Sequence, residues 1–414
     1  MQSADKRPLN VCVVCTYDIA EDGGVKHHAF SVAHALRRRG DNVSVIGPST
    51  RPLNEPDVHG FGGVMNFQAN GSGNAFGILV NPFKLRRFFA EKQFDVIHVH
   101  EPLNPAIGYW ASWLAPRTPH VATFHAYGER EALGLKIARA FAAPAVRPFY
   151  QRSIAVSEPA RRWAEPSWKR PLTIVPNGVS IKQFRPDARP HREEGPLRLL
   201  FVGKLIDPRK GFSYLTEAYA RLRARGVAVE LDVVGDGGTG DGLPDLPGLA
   251  YHGSVPLARL AEMYRDCDVF VAPSTGQESF GLVLLEAMAT ARPIVCSAIE
   301  GYKQVADQHG ARLVPPRDPL AIERAIVELA GDPLLRWRMG VWNRNRAETF
   351  DWDHIAQRVR DEYLMAIDMV RRGAYVLPAT GATPMLPPAP VLSEADDTAS
   401  AAGEMAASRQ AGSA

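Results

Sequence analysis

Two stretches of this sequence hold residues whose types and spacing suit chemistry. GKLIDPRKG (203–211) carries three cations, Lys204, Arg209 and Lys210, and PSTGQESFGLVLLEA (273–287) carries an E-x7-E pair, Glu278 and Glu286. Each follows an apolar run that reads as a parallel strand, which places both at the carboxyl edge of a sheet, where open α/β folds bind ligands. Cations gathered there neutralise an anion. They favour the transition state over the ground state when that anion gains charge as a bond breaks, as a departing diphosphate does. Glu278 precedes a helix beginning near Gly281, so the amides of Phe280, Gly281 and Leu282 are free of intrahelical partners and offer an anion or hydroxyl cradle. A carboxylate at 278 accepts hydrogen bonds from sugar hydroxyls, and one at 286 suits the paired hydroxyls of a ribose. Outside this setting, an exposed basic turn and a capping glutamate account for the same residues.

Two further loops belong to the same edge. Gly23 and Gly24 follow the opening apolar run LNVCVVC, where glycine lets backbone amides approach a phosphate or a sugar, although a tight turn also explains the pair. The full G-x-G-x-x-G spacing is missing, and so is the acidic residue of the dinucleotide fingerprint. His125 ends the run HVATFH, a position from which it faces a ligand across the crevice; a lone histidine is also a common structural residue. Cys12 and Cys15 form a C-x-x-C pair inside the first strand, but residues three apart on a strand point to opposite faces, so they read as core thiols. Asp266-Cys267-Asp268 imitates a metal-binding D-x-D, yet it runs straight into the strand VFVAPS and reads as flanking structure.

The elements that must hold these loops alternate. Strands are expected at 9–15, NVSVIGP, DVIHVH (95–100), HVATFH (120–125) and SIAVS (153–157), with a helix from about Lys26 that ends in Arg37-Arg38-Arg39 before Gly40. The polar, proline-bearing stretch 185–196 reads as a linker. The pattern then restarts at LRLLFVG (197–203), with a helix after Lys210, strands VELDVVG, DVFVAPS and PIVCS, and an amphipathic helix at 352–371. Strand–helix alternation means parallel sheets covered on both faces, so two doubly wound α/β halves are expected with one cleft between them. The length of 414 residues agrees with two domains, residues 1–190 and 197–350. The Ala-, Pro-, Ser- and Thr-rich tail at 376–414 is expected to be disordered.

Bulk properties narrow the class. Hydrophobic residues at 45% and charged residues at 22% are those of a globular enzyme, and a formal charge of +3 does not suit a dedicated nucleic-acid binder. Four cysteines do not make a disulfide framework, and no apolar run reaches membrane-spanning length. A leader-like apolar stretch is not found in residues 1–8, so a cytoplasmic location is expected. NPFKLRRFFAEKQ (81–93) interleaves Lys84, Arg86, Arg87 and Lys92 with Phe83, Phe88 and Phe89. On a helix this gives a cationic side and an aromatic side, the pattern of a segment lying on an anionic membrane. A solvated helix with its phenylalanines in the core gives the same pattern.

These pieces together resemble glycosyltransferase family four, of GT-B fold. The resemblance spans roughly residues 8–372 and rests on GGV (23–25), HEP (100–102), ATFH (122–125), PNGV (176–179), GKLIDPRKG and the E-x7-E pair. Within the family it is similar to bacterial phosphatidylinositol mannosyltransferases, especially in HEPLNP, VATFH, IAVSEPARRW and DPRKG. The resemblance implies a retaining, metal-independent transfer of a hexose from a nucleotide diphosphate sugar, GDP-mannose in that group. The acceptor would be a lipid such as phosphatidylinositol, at the inner membrane face. It implies that Lys210 binds the diphosphate, with Lys204 standing where arginine is common. Glu278 would hold donor-sugar hydroxyls, Glu286 the ribose, His125 the far side of the sugar, and Gly24 the diphosphate or acceptor. The closing helix (352–372) would cross back onto the first domain. A uridine donor with diacylglycerol or a soluble sugar as acceptor, a nucleotide-sugar epimerase of the same shape, and a non-catalytic nucleotide-sugar sensor are the competing readings. No cofactor or metal is expected.

Overall fold

The computed structural model describes residues 7–21, 23–69, 72–78, 80–104, 107–128, 133–187, 195–237 and 243–373. Most of the expected linker and the expected disordered tail lie outside these residues.

The first sheet grows from β1 (Asn10–Cys15), whose last five residues are fully buried, as a central parallel strand covered on both faces requires. Its side chains alternate between two cores. Cys12 and Val14 pack on one side, Val11, Val13 and Cys15 on the other. Both thiols are therefore inert core groups, and burial pushes Cys15 up to about 12. From β1 the chain enters α1 (Gly24–Arg38), β2 (Asn42–Gly47) and β3 (Val58–Gly60). The antiparallel hairpin β4 (Gly63–Ala69) and β5 (Ser72–Ile78) and then α2 (Pro82–Lys92) precede β6 (Val96–His100). Next come α3 (Ile107–Leu114), β7 (His120–Phe124), α4 (Leu133–Val146), β8 (Tyr150–Ala155), α5 (Glu158–Trp168) and β9 (Thr173–Ile174). The strands line up as β3-β2-β1-β6-β7-β8-β9, all parallel.

The second sheet repeats the plan. The chain runs β10 (Leu197–Val202), α6 (Phe212–Ala224), β11 (Val229–Val234), β12 (Leu249–Tyr251), α7 (Leu257–Asp266), β13 (Val269–Ala272) and α8 (Leu282–Ala289). It continues through β14 (Ile294–Ser297), α9 (Glu300–Lys303), β15 (Ala311–Val314), α10 (Pro319–Gly331) and α11 (Pro333–Glu348). The order is β12-β11-β10-β13-β14-β15, again parallel. Strand order reverses at β1/β6 and at β10/β13. Those two switch points open crevices at the carboxyl ends of the strands; the loops after β1, β10 and β13 leave from there, and the His125 loop leaves the carboxyl end of β7, the strand beside β6.

The last helix, α12 (Trp352–Arg371), returns to the first sheet and lies against α1, β7 and β8. Its Ile355, Val359, Tyr363 and Ile367 are buried with Val11 and Val13, at about 1.5–3 kcal/mol for each large side chain removed from water. Two ion pairs fix its rotation, Arg152–Glu362 at 2.6 Å and Arg360–Asp41 at 3.1 Å. The chain thus passes between the halves twice, and the crossings are stitched together. Val179 N donates to Phe350 O at 2.9 Å, and Trp352 N donates to Val179 O at 3.3 Å. The Trp352 ring covers Gly178 so closely that a Cβ there would sit 2.6 Å from it.

Candidate active site

The β10–α6 loop lies directly on the loop that follows β13. Gly211, at φ +70°, leaves no room for a side chain, because a Cβ would overlap the Pro273 carbonyl oxygen. Thr275 N donates to Arg209 O at 2.7 Å across the same contact. This clamp brings Lys210 Nζ to 2.6 Å from Glu278 Oε1, with both side chains about three-quarters shielded. Arg209 turns back onto its own loop instead. Its guanidinium grips Asp207, the nearest pair at 2.6 Å, and Asp207 also caps the short turn at 208–210 by accepting from Arg209 N at 3.0 Å. Burial pushes the Asp207 carboxyl up, and the Arg209 hydrogen bonds more than offset that, leaving it below its ordinary value. Lys204 stands exposed with no ion pair among the described residues. Of the three cations grouped in the sequence, Lys210 is the one joined to the glutamate.

α8 begins at Leu282, one residue later than the helix start read from the sequence, because Gly281 takes φ +105° as its N-cap. Among the described residues the amides of Phe280, Gly281 and Leu282 find no backbone acceptor, so this helix start keeps its positive end open. Glu286, a turn further on, accepts from the Tyr264 hydroxyl at 2.9 Å. Burial pushes its carboxyl up to about 7, and the Tyr264 bond pulls the other way.

In the first half, His125 is not a lone histidine. Its Nε2 lies 2.9 Å from His100 Nδ1, and the His28 ring stands edge-on at 4.7 Å. His28 Nδ1 is 2.6 Å from Asn177 Oδ1, and His98 is held between the Tyr363 hydroxyl (2.7 Å) and Thr123 Oγ1 (2.6 Å). Burial drives these imidazoles down, His28 to about 4 and His98 to about 3, so the cluster is neutral near pH 7. One buried nitrogen of the cluster, His100 Nε2, has no hydrogen-bond partner among the described residues. Glu101, at φ +56°, braces the loop by accepting from the amides of His125 and Ala126 at 2.5 and 2.7 Å. His28, His100 and His125 offer nitrogens within 4.8 Å of one another, a spacing that a metal could use. Two of those rings, however, are hydrogen-bonded to each other and the third to Asn177. Beside the cluster, α1 starts at Gly24 without a side-chain cap, Gly23 and Gly24 are exposed, and a Cβ at either would meet nothing within 4 Å.

The sequence assigned no role to His28, His98 or Tyr264, nor to His100, Glu101, Asn177, Asp207 and Ser274, although these five lie inside the marked stretches HEP, PNGV, GKLIDPRKG and PSTGQESFGLVLLEA. A partial signal existed: His98 and His100 lie two apart on β6 and so share one face. The Asp266–Asp268 pair is flanking structure, with Asp268 Oδ2 accepting from Arg198 N at 2.9 Å.

The basic-aromatic segment forms α2, and its aromatic side is not uniform. Phe89 is buried and Phe88 is packed against the core, because the helix lies on its own sheet, while Phe83 projects at 82% exposure. Arg86 is exposed, Arg87 pairs with Glu91 at 2.6 Å, and Lys84 Nζ sits 5.5 Å over the Phe61 ring. A hollow of about 450 Å³ beside it is lined by Leu53, Phe61, Lys84, Arg87 and Phe88 among others. Among the described residues no helix is long and apolar enough to cross a membrane.

Comparison with known proteins bears on both halves. Residues 22–183 match the family model described as Glycosyltransferase Family 4, and residues 196–332 match Glycosyl transferases group 1. The phosphatidyl-myo-inositol mannosyltransferase of Mycolicibacterium smegmatis is 33% identical over 368 residues, covering 86% of this chain and 93% of that protein. Its counterpart from Mycobacterium leprae is 32% identical, with 86% and 96% covered. The chain belongs to glycosyltransferase family 4.

Solved structures agree on the architecture of this family 4 enzyme. Sucrose-phosphate synthase from Thermosynechococcus elongatus superposes with a TM-score of 0.66 at 22% identity, covering 87% of this chain and all of that one. Anabaena HepE in complex with UDP-glucose gives 0.66 at 18% identity, with 85% and 98% covered. The fold is therefore GT-B, and the two doubly wound halves face a central cleft, as expected from strand–helix alternation. The family 4 chain is a glycosyltransferase, and the Lys210–Glu278 pair and the histidine cluster stand at the carboxyl edges of its two sheets.

Proposed function

We propose that this glycosyltransferase moves mannose from GDP-mannose to a phosphatidylinositol-type lipid at the cytoplasmic face of the membrane, with retention and without a metal ion. The observation that carries the reading is the Lys210–Glu278 contact beside the open amides of α8. As the bond from the sugar's anomeric carbon to the β-phosphate oxygen breaks, its electron pair stays on the diphosphate. Lys210 and the helix amides meet the charge that develops there. The acceptor hydroxyl bonds to the anomeric carbon from the same face, and its proton passes to the departing phosphate oxygen. Glu278 then shares its carboxylate between Lys210 and the sugar hydroxyls, Glu286 takes the ribose hydroxyls, and neutral His125 offers its edge to the far side of the sugar.

The relatives named phosphatidyl-myo-inositol mannosyltransferase support the donor sugar and the lipid class. The exposed Phe83 beside Lys84 and Arg86 supports a peripheral membrane contact. Burying one phenylalanine contributes about 1.5–3 kcal/mol, and each cation near an anionic surface about 1 kcal/mol. The test is a panel of nucleotide sugars scored for released nucleoside diphosphate, with and without phosphatidylinositol. Release from GDP-mannose that depends on the lipid is the expected result. Release from a uridine donor alone, or conversion of the donor sugar with no acceptor present, would refute it.

A further inference from the structure

One buried side chain behind the donor loop takes no part in the reaction proposed above. Tyr302, on α9, is 1% exposed, and its hydroxyl lies 2.7 Å from Ser274 Oγ. Ser274 is itself buried and donates to Glu278 Oε1 at 3.4 Å, so the Tyr302 hydroxyl is the donor in the first bond. The Tyr302 ring also packs on Gly281, where a Cβ would come within 2.8 Å of it. The neighbouring Gly301 lies so near the Glu278 main chain that any Cβ would overlap its carbonyl oxygen. α9 thus presses on the donor loop at Glu278 and at Gly281.

Packing alone would be served by phenylalanine. A buried hydroxyl costs free energy unless it is bonded, and among the described residues Ser274 is the partner of the Tyr302 hydroxyl. The chain Tyr302–Ser274–Glu278–Lys210 pins Glu278 through a single oxygen, Oε1, which is 2.6 Å from Lys210 Nζ. Oε2 has no hydrogen-bond partner among the described residues. We propose that Tyr302 is a positioning residue. Acting through Ser274, it holds the Glu278 carboxylate in one orientation, so that Oε2 is presented to the hydroxyls of the donor hexose. This rests on the reading that Glu278 binds the donor sugar.

The test uses the full-length chain with Tyr302→Phe, Ser274→Ala and the double variant. The readouts are kcat and KM for GDP-mannose, equilibrium affinity for GDP-mannose and for GDP alone, and melting temperature. Each single variant is expected to lower kcat/KM for GDP-mannose roughly three- to thirtyfold, the range for losing one hydrogen bond in a chain. GDP affinity stays within about twofold, because neither substituted side chain reaches the nucleotide and Lys210 keeps its own bond to Glu278 Oε1. The double variant is no worse than the poorer single one, because both break the same link. A loss under about threefold in both single variants, an equal loss of GDP affinity, or losses that multiply in the double variant would overturn the proposal. If Tyr302→Phe melts early, Ser274→Ala alone decides. A wild-type protein that binds GDP but not GDP-mannose overturns the donor reading as well. Normal donor binding with insensitive variants overturns this inference alone.

Discussion

Replacing Glu286 by glutamine separates what this site costs in stability from what it does for binding. The ordinary carboxyl value is 4.5, and burial on α8 raises it to about 7 in the folded protein. Below the lower value the group is neutral in both states and costs nothing. Between 4.5 and about 7 the unfolded chain ionises while the folded protein keeps its proton, so stability falls as pH rises. Above about 7 the full cost is present, about 3 kcal/mol from the difference between the two values. Part of the residue's surface remains open to solvent, which tempers this to about 1–3 kcal/mol. Glutamine cannot ionise, yet its carbonyl still accepts from the Tyr264 hydroxyl. Glu286→Gln is therefore expected to match wild type in urea unfolding at about pH 4 and to exceed it by about 1–3 kcal/mol at about pH 8. Donor binding should move the opposite way. On the proposed role of Glu286 as acceptor of the ribose hydroxyls, the variant should bind GDP-mannose about tenfold or more weakly at about pH 8, because that charged acceptor is gone. Wild-type affinity rises with pH through about 7 while the variant's stays flat. A variant no more stable than wild type at about pH 8, or wild-type donor affinity independent of pH, would refute the reasoning.

Other changes give separable outcomes. Lys210→Ala should lower turnover on the order of 10²- to 10³-fold at saturating donor, since it removes a charge matched to the leaving group; a fully active variant would remove its assigned role. Gly178→Ala should destabilise the chain by about 1–3 kcal/mol, because the new Cβ lies 2.6 Å from the Trp352 ring, and a melting curve unchanged from wild type would count against that contact. Phe83→Asp, or reversal of charge at Lys84 and Arg86, should weaken flotation with anionic liposomes and leave turnover on a detergent-dispersed lipid near wild type. Flotation indifferent to lipid charge would count against α2 as the membrane contact.

Much of the architecture was legible from residue order. Near-continuous apolar runs such as NVCVVC and LRLLFV read as doubly covered parallel strands, because only buried strands dispense with polar alternation. The helix 352–371 was equally plain from its periodicity, and α12 spans Trp352–Arg371. The β4–β5 hairpin was missed although its two runs flank an Asn-Gly pair, a strong hairpin signal, because the runs themselves are broken by glycine and polar residues. Edge strands of two or three residues, β3, β9 and β12, carry too little pattern to be read at all.

The residue types of the site, too, were settled by the sequence: cations after β10, carboxylates around the start of α8, glycines before α1 and a histidine after β7. Their partnerships were not. Whether Lys210 or Arg209 meets Glu278 is decided by the contact of Gly211 with the Pro273 carbonyl and by Asp207, which claims the guanidinium first. His125 acquires His100 because parallel pairing sets β6 beside β7, and His28 because α1 packs over the same edge. Sequence spacing tells which face of one element a side chain occupies. Only tertiary packing tells which charge on another element it meets, since that depends on loop paths and strand neighbours set by contacts far apart in the chain.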